Sequence, residues 1–413
     1  MRTLVFVVLM MASLQGIAQR ACLTQAYAEQ QQALHPLYAA KRAALEAFIK
    51  EQAAGATTQK TAAQEIIRIP VVVHILYNNS SQNISDSQVT SQIEALNRDF
   101  RRLNADTVNT PDRFKALGAD VGIEFALASA DPMGRPTTGI IRKHTSVSEW
   151  GMDDKIKFSA QGGDNAWDSK SYLNIWVGNL RQILGYASEP GGPADKDGLV
   201  INLSAFGTIN GGGAYDKGRT VVHEVGHWLG LKHIWGDTYC GDDGVDDTPK
   251  QGNFTTGCPT TVRTSCGNNA TGDMYMNYMD FVNDACMNLF THGQKQRMRT
   301  LFEPGGPRYS LLSSRGLNEP WLEEAPVEDS PVTHKEPRLY PNPVAGEVTI
   351  DVSGRDQWIG RELKVIAVNG VEVHRQVLTS ATQKINLSHL RPGIYMVWIR
   401  NGNEEIRQKL VKY

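Results

Sequence analysis

HEVGHWLGLKH, residues 223–233, places three histidines and one glutamate within eleven residues, and it limits what the surrounding chain can be. His223 and His227 are four apart, so a helix projects both from one face on successive turns. That spacing lets two imidazoles reach one metal ion at about 2.0–2.1 Å each. Glu224 stands beside them, where a carboxylate can take a proton from a metal-bound water. His233 would point away if the helix ran on. Gly230 removes that difficulty, because glycine enters left-handed conformations at little steric cost and lets the chain turn back. The plainer alternative is an amphipathic helix with Val222, Val225, Leu229 and Leu231 in a core. Five specified residues at this spacing arise by chance on the order of once in 10⁴ to 10⁵ chains of ordinary composition. The metal reading prevails. His35, His144, His334 and His389 have no such company and read as ordinary surface or core residues.

The rest of the chain sets the context. Its 413 residues suffice for two or three domains, each with its own core. A formal charge of −2 gives no electrostatic reason to expect nucleic acid as a partner. Arg2, the apolar run Leu4 to Leu14 and the small-residue stretch Gly16-Ile17-Ala18 have the layout of a signal peptide cut after Ala18. The run is too short for a membrane span, which needs roughly 20 apolar residues. Export places the cysteines in an oxidising compartment. Cys240, Cys258, Cys266 and Cys286 then read as two disulfides, with three pairings open, against a structural zinc site that lacks a CxxC pair. Cys22 stands apart.

Residues 19 to about 62 read as helical. Ile69 to Tyr77 reads as a central strand, and Val89, Ile93, Leu96, Phe100 and Leu103 as a helix capped by Ser85 or Asp86. Ile123 to Leu127, Leu173 to Val177 and Leu199 to Leu203 alternate as strands. The expected fold class is α+β: a twisted mixed sheet with an active-site helix, then a small all-β sandwich domain. A Glu- and Pro-rich stretch at 319–337 separates the two. In the second part, Val348 to Val352, Leu363 to Val368, Val371 to Val373, Ile394 to Ile399 and Lys409 to Val411 read as strands, with a hairpin turn at Asn369-Gly370.

At residues 223–233 the sequence resembles the metzincin metalloproteases, whose pattern H-E-x-x-H-x-x-G-x-x-H it matches in full. His233-Ile234-Trp235-Gly236-Asp237, Asp247-Thr248-Pro249 and the four clustered cysteines resemble the pappalysin family, in its ulilysin-like, cytophagalysin branch. Asn277-Tyr278-Met279-Asp280 is similar to that family's methionine turn, with Met279 as the floor beneath three histidines. The resemblance covers roughly residues 66–316. It implies Zn2+ held by His223, His227 and His233, with Glu224 as the catalytic base of a secreted zinc-dependent endopeptidase. It also implies the pairings Cys240–Cys266 and Cys258–Cys286, and substrate pairing on Leu199 to Leu203 as the sheet edge.

Calcium is implied as well, for the loop carrying Asp237, Asp242, Asp243, Asp246, Asp247 and Thr248; a merely solvated acidic loop is the alternative. Cys22 resembles a prosegment cysteine that sits on the zinc and keeps a proenzyme latent; lipid attachment and a free thiol are the alternatives. One departure stands out. The family usually has a tyrosine two residues after the turn methionine, and here that position is Phe281, which cannot donate a hydrogen bond to an oxyanion. The C-terminal segments Leu339 to Pro343, Gly393-Ile394-Tyr395 and Lys409 to Lys412 resemble the sorting domain of type IX secretion.

These features give an expected organisation of signal peptide 1–18, propeptide 19–65, protease domain 66–318, linker 319–337 and sorting domain 338–413. Expected partners are protein or peptide substrates and the type IX machinery, with the chain a monomer that is secreted or held at the cell surface. The competing function is a surface-anchored binding protein on a metzincin scaffold, with weak or no proteolysis.

Overall fold

Residue 67 begins a strand whose side chains are buried on both faces, and the first unit of the protein is built around it. The structure, a computed structural model, describes residues 22–35, 37–55, 65–209, 211–322, 338–353, 356–401 and 404–413. The expected signal peptide and most of the expected linker lie outside these residues. The chain divides into two units, Met1–Glu323 and Glu324–Tyr413.

In the first unit, helices α1 (Thr24–Leu34) and α2 (Leu37–Gly55) precede strand β1 (Ile67–Tyr77), helix α3 (Asp86–Phe100) and the single turn α4 (Asp112–Lys115). Strands β2 (Ile123–Leu127), β3 (Ile140–His144), β4 (Leu173–Gly178), β5 (Gly185–Ala187) and β6 (Leu199–Asn202) follow, then helices α5 (Arg219–Trp228) and α6 (His292–Thr300). Ser85 caps α3 as expected, its side chain accepting from the Gln88 amide.

The sheet order is β2-β1-β4-β6-β5, with β3 pairing the second half of β1 beyond β2. All pairs are parallel except β5 against β6. Strand alternation sorts the side chains. Ile69, Val71, Val73, Ile175, Val177, Leu199 and Ile201 share one core with α3 and α5, while Leu76, Trp176, Tyr186 and Val200 face the other way, onto Trp150 and Ile156.

One expectation is corrected here. Leu199 to Leu203 is not the sheet edge: β6 lies between β4 and β5. The edge is β5, three residues that double back antiparallel on β6. A strand that short carries no alternation to read. Its outer side is taken by the chain's own N-terminal segment, through a parallel bridge of Cys22 with Gly185 and a hydrogen bond from the Leu23 amide to the Gly185 carbonyl (3.3 Å).

The second unit is a two-sheet all-β domain. Strands β7 (Arg338–Tyr340), β8 (Glu347–Asp351) and β11 (Thr382–Asn386) make one sheet. Strands β9 (Glu362–Ala367), β10 (Glu372–Val377), β12 (Gly393–Asn401) and β13 (Glu404–Lys412) make the other. Both are antiparallel and enclose a core that includes Val348, Ile350, Trp358, Val365, Val397 and Leu410.

Candidate metal centre and active site

Every residue of α5 is buried, so its polar side chains need partners. The helix ends where glycine allows it. Gly230 adopts φ +80°, its amide donates to the His227 carbonyl (2.8 Å), and the Leu231 amide donates to the Gly226 carbonyl (2.9 Å). This is a Schellman stop, and the reversal returns His233 to the face that carries His223 and His227.

Each histidine presents Nδ1 to an acceptor: His223 to the Tyr278 carbonyl (2.7 Å), His227 to the Leu231 carbonyl (2.9 Å), and His233 to the Asp237 carboxylate. The protons therefore sit on Nδ1, and the three Nε2 lone pairs point inward. His227 Nε2 lies 3.1 Å from both other Nε2 atoms. Three lone pairs so close repel one another unless a cation sits among them. Cys22 Sγ completes the group, 3.6 Å from His227 Nε2, and all four donor atoms lie within 4.8 Å of one another. A tetrahedral ion with nitrogens at about 2.0–2.1 Å and sulfur at about 2.3 Å would space them at about 3.4 and 3.6 Å. The residues fit such an ion.

The electrostatics agree. Burial and the neighbouring His233 push the His227 imidazole down to about 3, so it stays neutral and able to ligate. Burial and the Glu224 carboxylate push the Cys22 thiol well up, an effect that a bound cation offsets. Burial alone would raise Asp237, but the hydrogen bond and charge of His233 outweigh it and hold the carboxyl below its usual range.

Met279 is fully buried beneath α5, and a Cβ built on Gly226 would lie 2.5 Å from its sulfur, so the helix needs glycine there. Phe281 packs against the His233 (4.9 Å) and His223 (5.7 Å) rings, with Trp235 and Phe254 behind it. Glu224 accepts a hydrogen bond from Thr24 (2.8 Å), and Thr24 Oγ1 in turn accepts from the Ala187 amide (2.9 Å) on the sheet edge. Thr24 lies 200 residues from Glu224 in sequence, and no local pattern could have flagged it.

Cys240–Cys266 and Cys258–Cys286 are disulfide-bonded, with Cα atoms 5.6 and 5.7 Å apart. Most aspartates of the 237–247 loop have near partners. Among the described residues, the only group of three or more His, Cys, Asp or Glu with converging donors is the one containing Cys22. Asp237 serves His233, Asp242 the Gly244 amide, Asp243 Thr248, and Asp247 Thr291 and the Gly293 amide at the start of α6. These bonds hold local turns and the start of α6. Asp246 joins no such cluster.

The N-terminal segment docks beyond Cys22 as well. Arg42 pairs with Glu189 (2.8 Å), and Glu46 pairs with Arg297, whose Nε donates to the Gly230 carbonyl (2.7 Å).

Comparison with known proteins gives this geometry its context. Residues 158–303 match the family described as Pregnancy-associated plasma protein-A. An extracellular metalloprotease of Arthroderma benhamiae is 32% identical over 250 residues, spanning 57% of this chain and 72% of that protein. The chain belongs to the pappalysin-like metalloproteases. A second extracellular metalloprotease, from Pyricularia oryzae, is 30% identical over 62% of this chain and 81% of its own length.

Among solved structures, Tannerella forsythia mature mirolysin in complex with a cleaved peptide is 51% identical, with TM-score 0.59, over 60% of this chain and 97% of that one. A promirolysin mutant from the same organism is 47% identical, with TM-score 0.65, over 71% of this chain and 97% of its own. The proenzyme covers 71% of this chain against 60% for the mature form, a further 11% or about 45 residues, close to the length of segment 19–65. Residues 338–413 match the secretion system C-terminal sorting domain. The chain is therefore a metalloprotease with a propeptide, addressed by its C-terminal domain to type IX export and to the cell surface or the medium. No helix among the described residues is long and apolar enough to cross a membrane.

Proposed function

We propose that the protein is a zinc-dependent endopeptidase made as a latent proenzyme, with His223, His227 and His233 as permanent ligands and Cys22 as a removable fourth. The convergence of three Nε2 atoms and one sulfur at tetrahedral spacings carries this reading. Zinc bound there supplies a Lewis acid that polarises the scissile carbonyl and acidifies the attacking water. The protein's own groups do the rest. Glu224, one residue from the first ligand, takes the water's proton and passes it to the leaving amine. The edge strand β5 offers its backbone to an extended peptide. Phe281 walls the site with apolar surface and can donate no hydrogen bond to an oxyanion. Met279, pressed against Gly226, fixes the depth of the ligand helix.

Latency follows from the same contacts. Cys22 fills the position that water and substrate need, and Thr24 occupies both Glu224 and the Ala187 amide. Activation removes the segment 19–65, after export has removed 1–18; the linker 319–337 then releases or tethers the sorting domain 338–413. The relation to promirolysin supports a removable N-terminal segment. Calcium stays outside the proposal.

The test is Glu224→Ala in the activated enzyme. Zinc content, by atomic absorption, should remain near one per chain while casein hydrolysis falls by a factor of at least about 10². Chelation should stop the wild type and added zinc restore it. Full proteolysis by the variant would sink the proposal. A wild type that holds zinc and cleaves nothing would favour a binding protein on this scaffold instead.

A further inference from the structure

The sheet face opposite the catalytic helix holds a second polar site, which the reaction does not use. Lys157 is fully buried and Asp154 nearly so; the two pair at 3.0 Å, and Lys196 also reaches Asp154 (3.1 Å). Their walls are aromatic, with Lys157 Nζ 5.1 Å from the Tyr186 ring and 5.5 Å from the Trp176 ring. Into this box the N-terminal segment inserts Tyr27, 1% exposed. Its hydroxyl donates to Asp154 (2.9 Å) and accepts from Lys157 Nζ (3.2 Å), and its ring lies 4.8 Å from that of Tyr186.

The box borders the substrate edge. Tyr186 is the central residue of β5, and its neighbours Gly185 and Ala187 are the two positions engaged by Cys22 and Thr24. Side chains alternate along a strand. A peptide lying on β5 therefore sends some side chains toward Glu224 and the intervening ones toward Tyr186.

Once the N-terminal segment has gone, Asp154 keeps Lys157 and Lys196, and Lys157 keeps Asp154 and the Lys196 carbonyl (2.9 Å), but Asp154 loses one donor and Lys157 one acceptor in an aromatic surround. A phenol satisfies both with one oxygen and stacks on Tyr186. Phenylalanine leaves that donor and that acceptor place unfilled, a carboxylate meets Asp154, and an ammonium meets Lys157. A site built to bond a hydroxyl discriminates strongly against the analogue that lacks it. We infer that the Asp154–Lys157–Tyr186 pocket is a substrate subsite for a tyrosine side chain within a few residues of the cleaved bond, and that Tyr27 fills it in the proenzyme. This rests on the protease reading above.

The test uses the activated enzyme and a fluorogenic peptide cut from casein, with Tyr, Phe or Ala stepped through the positions on either side of the cleaved bond. At one position kcat/KM for Tyr should exceed that for Phe by about tenfold or more, and Asp154→Asn should bring that ratio close to one. The ratio is immune to the fraction of enzyme that folds. Equal rates for Tyr and Phe at every position overturn the proposal and leave the box as an anchor for the N-terminal segment alone. A Tyr preference that survives Asp154→Asn overturns it too. If no peptide is cleaved, the protease reading fails. Fluorescence anisotropy of the same peptides on chelator-treated enzyme then decides the subsite: tighter binding of Tyr by a similar factor upholds it, and equal binding overturns it.

Discussion

Single side chains do two kinds of work in this protein, and Thr24 shows the less visible kind. Its hydroxyl links the Ala187 amide to the Glu224 carboxylate, so one oxygen blocks the substrate edge and the base together. Valine has the same shape without the oxygen. Thr24→Val should weaken docking of the N-terminal segment by about 1–3 kcal/mol, since buried partners left unpaired cost that much. The inhibition constant of a peptide spanning residues 19–65, added to activated enzyme, measures this, and an unchanged constant would remove Thr24 from the account.

Asp280, beside Met279, gives a pH dependence at the same scale. Burial raises its carboxyl to about 6, despite hydrogen bonds from the Thr255 and Phe281 amides and Gln251. A carboxyl raised in the folded state contributes stability that is fully present below its unfolded value near 3.9 and lost as pH rises through 6. The loss is about 2–3 kcal/mol. Denaturant midpoints of wild type and Asp280→Asn between pH 4 and 7 should show the wild type losing ground as pH rises. A pH-independent difference would count against it.

At the scale of elements, α5 is defined by its two glycines as much as by its ligands. Gly226 lets Met279 approach, and Gly230 lets the chain reverse toward His233. Gly230→Ala puts a Cβ on a left-handed residue, at about 1–2 kcal/mol. Gly226→Ala forces Met279 aside and costs about 1–3 kcal/mol as overpacking. Both variants should melt earlier by calorimetry and lose zinc faster to a chelator than wild type. If both keep zinc as well as wild type does, the helix end and the methionine floor do not set the ligand geometry. The edge strand β5 is the opposite case: it has three residues and no pattern of its own, and its position comes entirely from pairing with β6.

The whole molecule is held together differently in its parts. Between Trp228 and His292 the described chain has no strand and no α-helix, only one short 3-10 turn. Two disulfides closing loops of 26 and 28 residues tie this stretch down. In the chain-entropy account each contributes about 3–4 kcal/mol. Reduction should therefore lower the melting temperature and release zinc, because Tyr278 and Met279 lie inside the tied segment. Retained zinc after full reduction would show the turn standing without its staples. The second unit has a separate core. Deleting 338–413 should leave the specific activity of purified enzyme within about twofold while abolishing export. Lost activity would make that unit part of the enzyme.

The sequence by itself determined the metal-binding constellation, because HEVGHWLGLKH is local: helical periodicity joins His223 to His227, and glycine's freedom at position 230 turns the chain to His233. It also determined the long strands and the division into a mixed α/β unit and an all-β unit, since alternation and helical spacing are written within each segment. The tertiary structure alone decided which strand is the edge, what Thr24 and Tyr27 touch, and that Asp247 reaches Thr291 and the Gly293 amide. Those outcomes depend on contacts between residues tens to hundreds of positions apart. Burial then selects a partner for each polar group, and no short window of sequence records the choice.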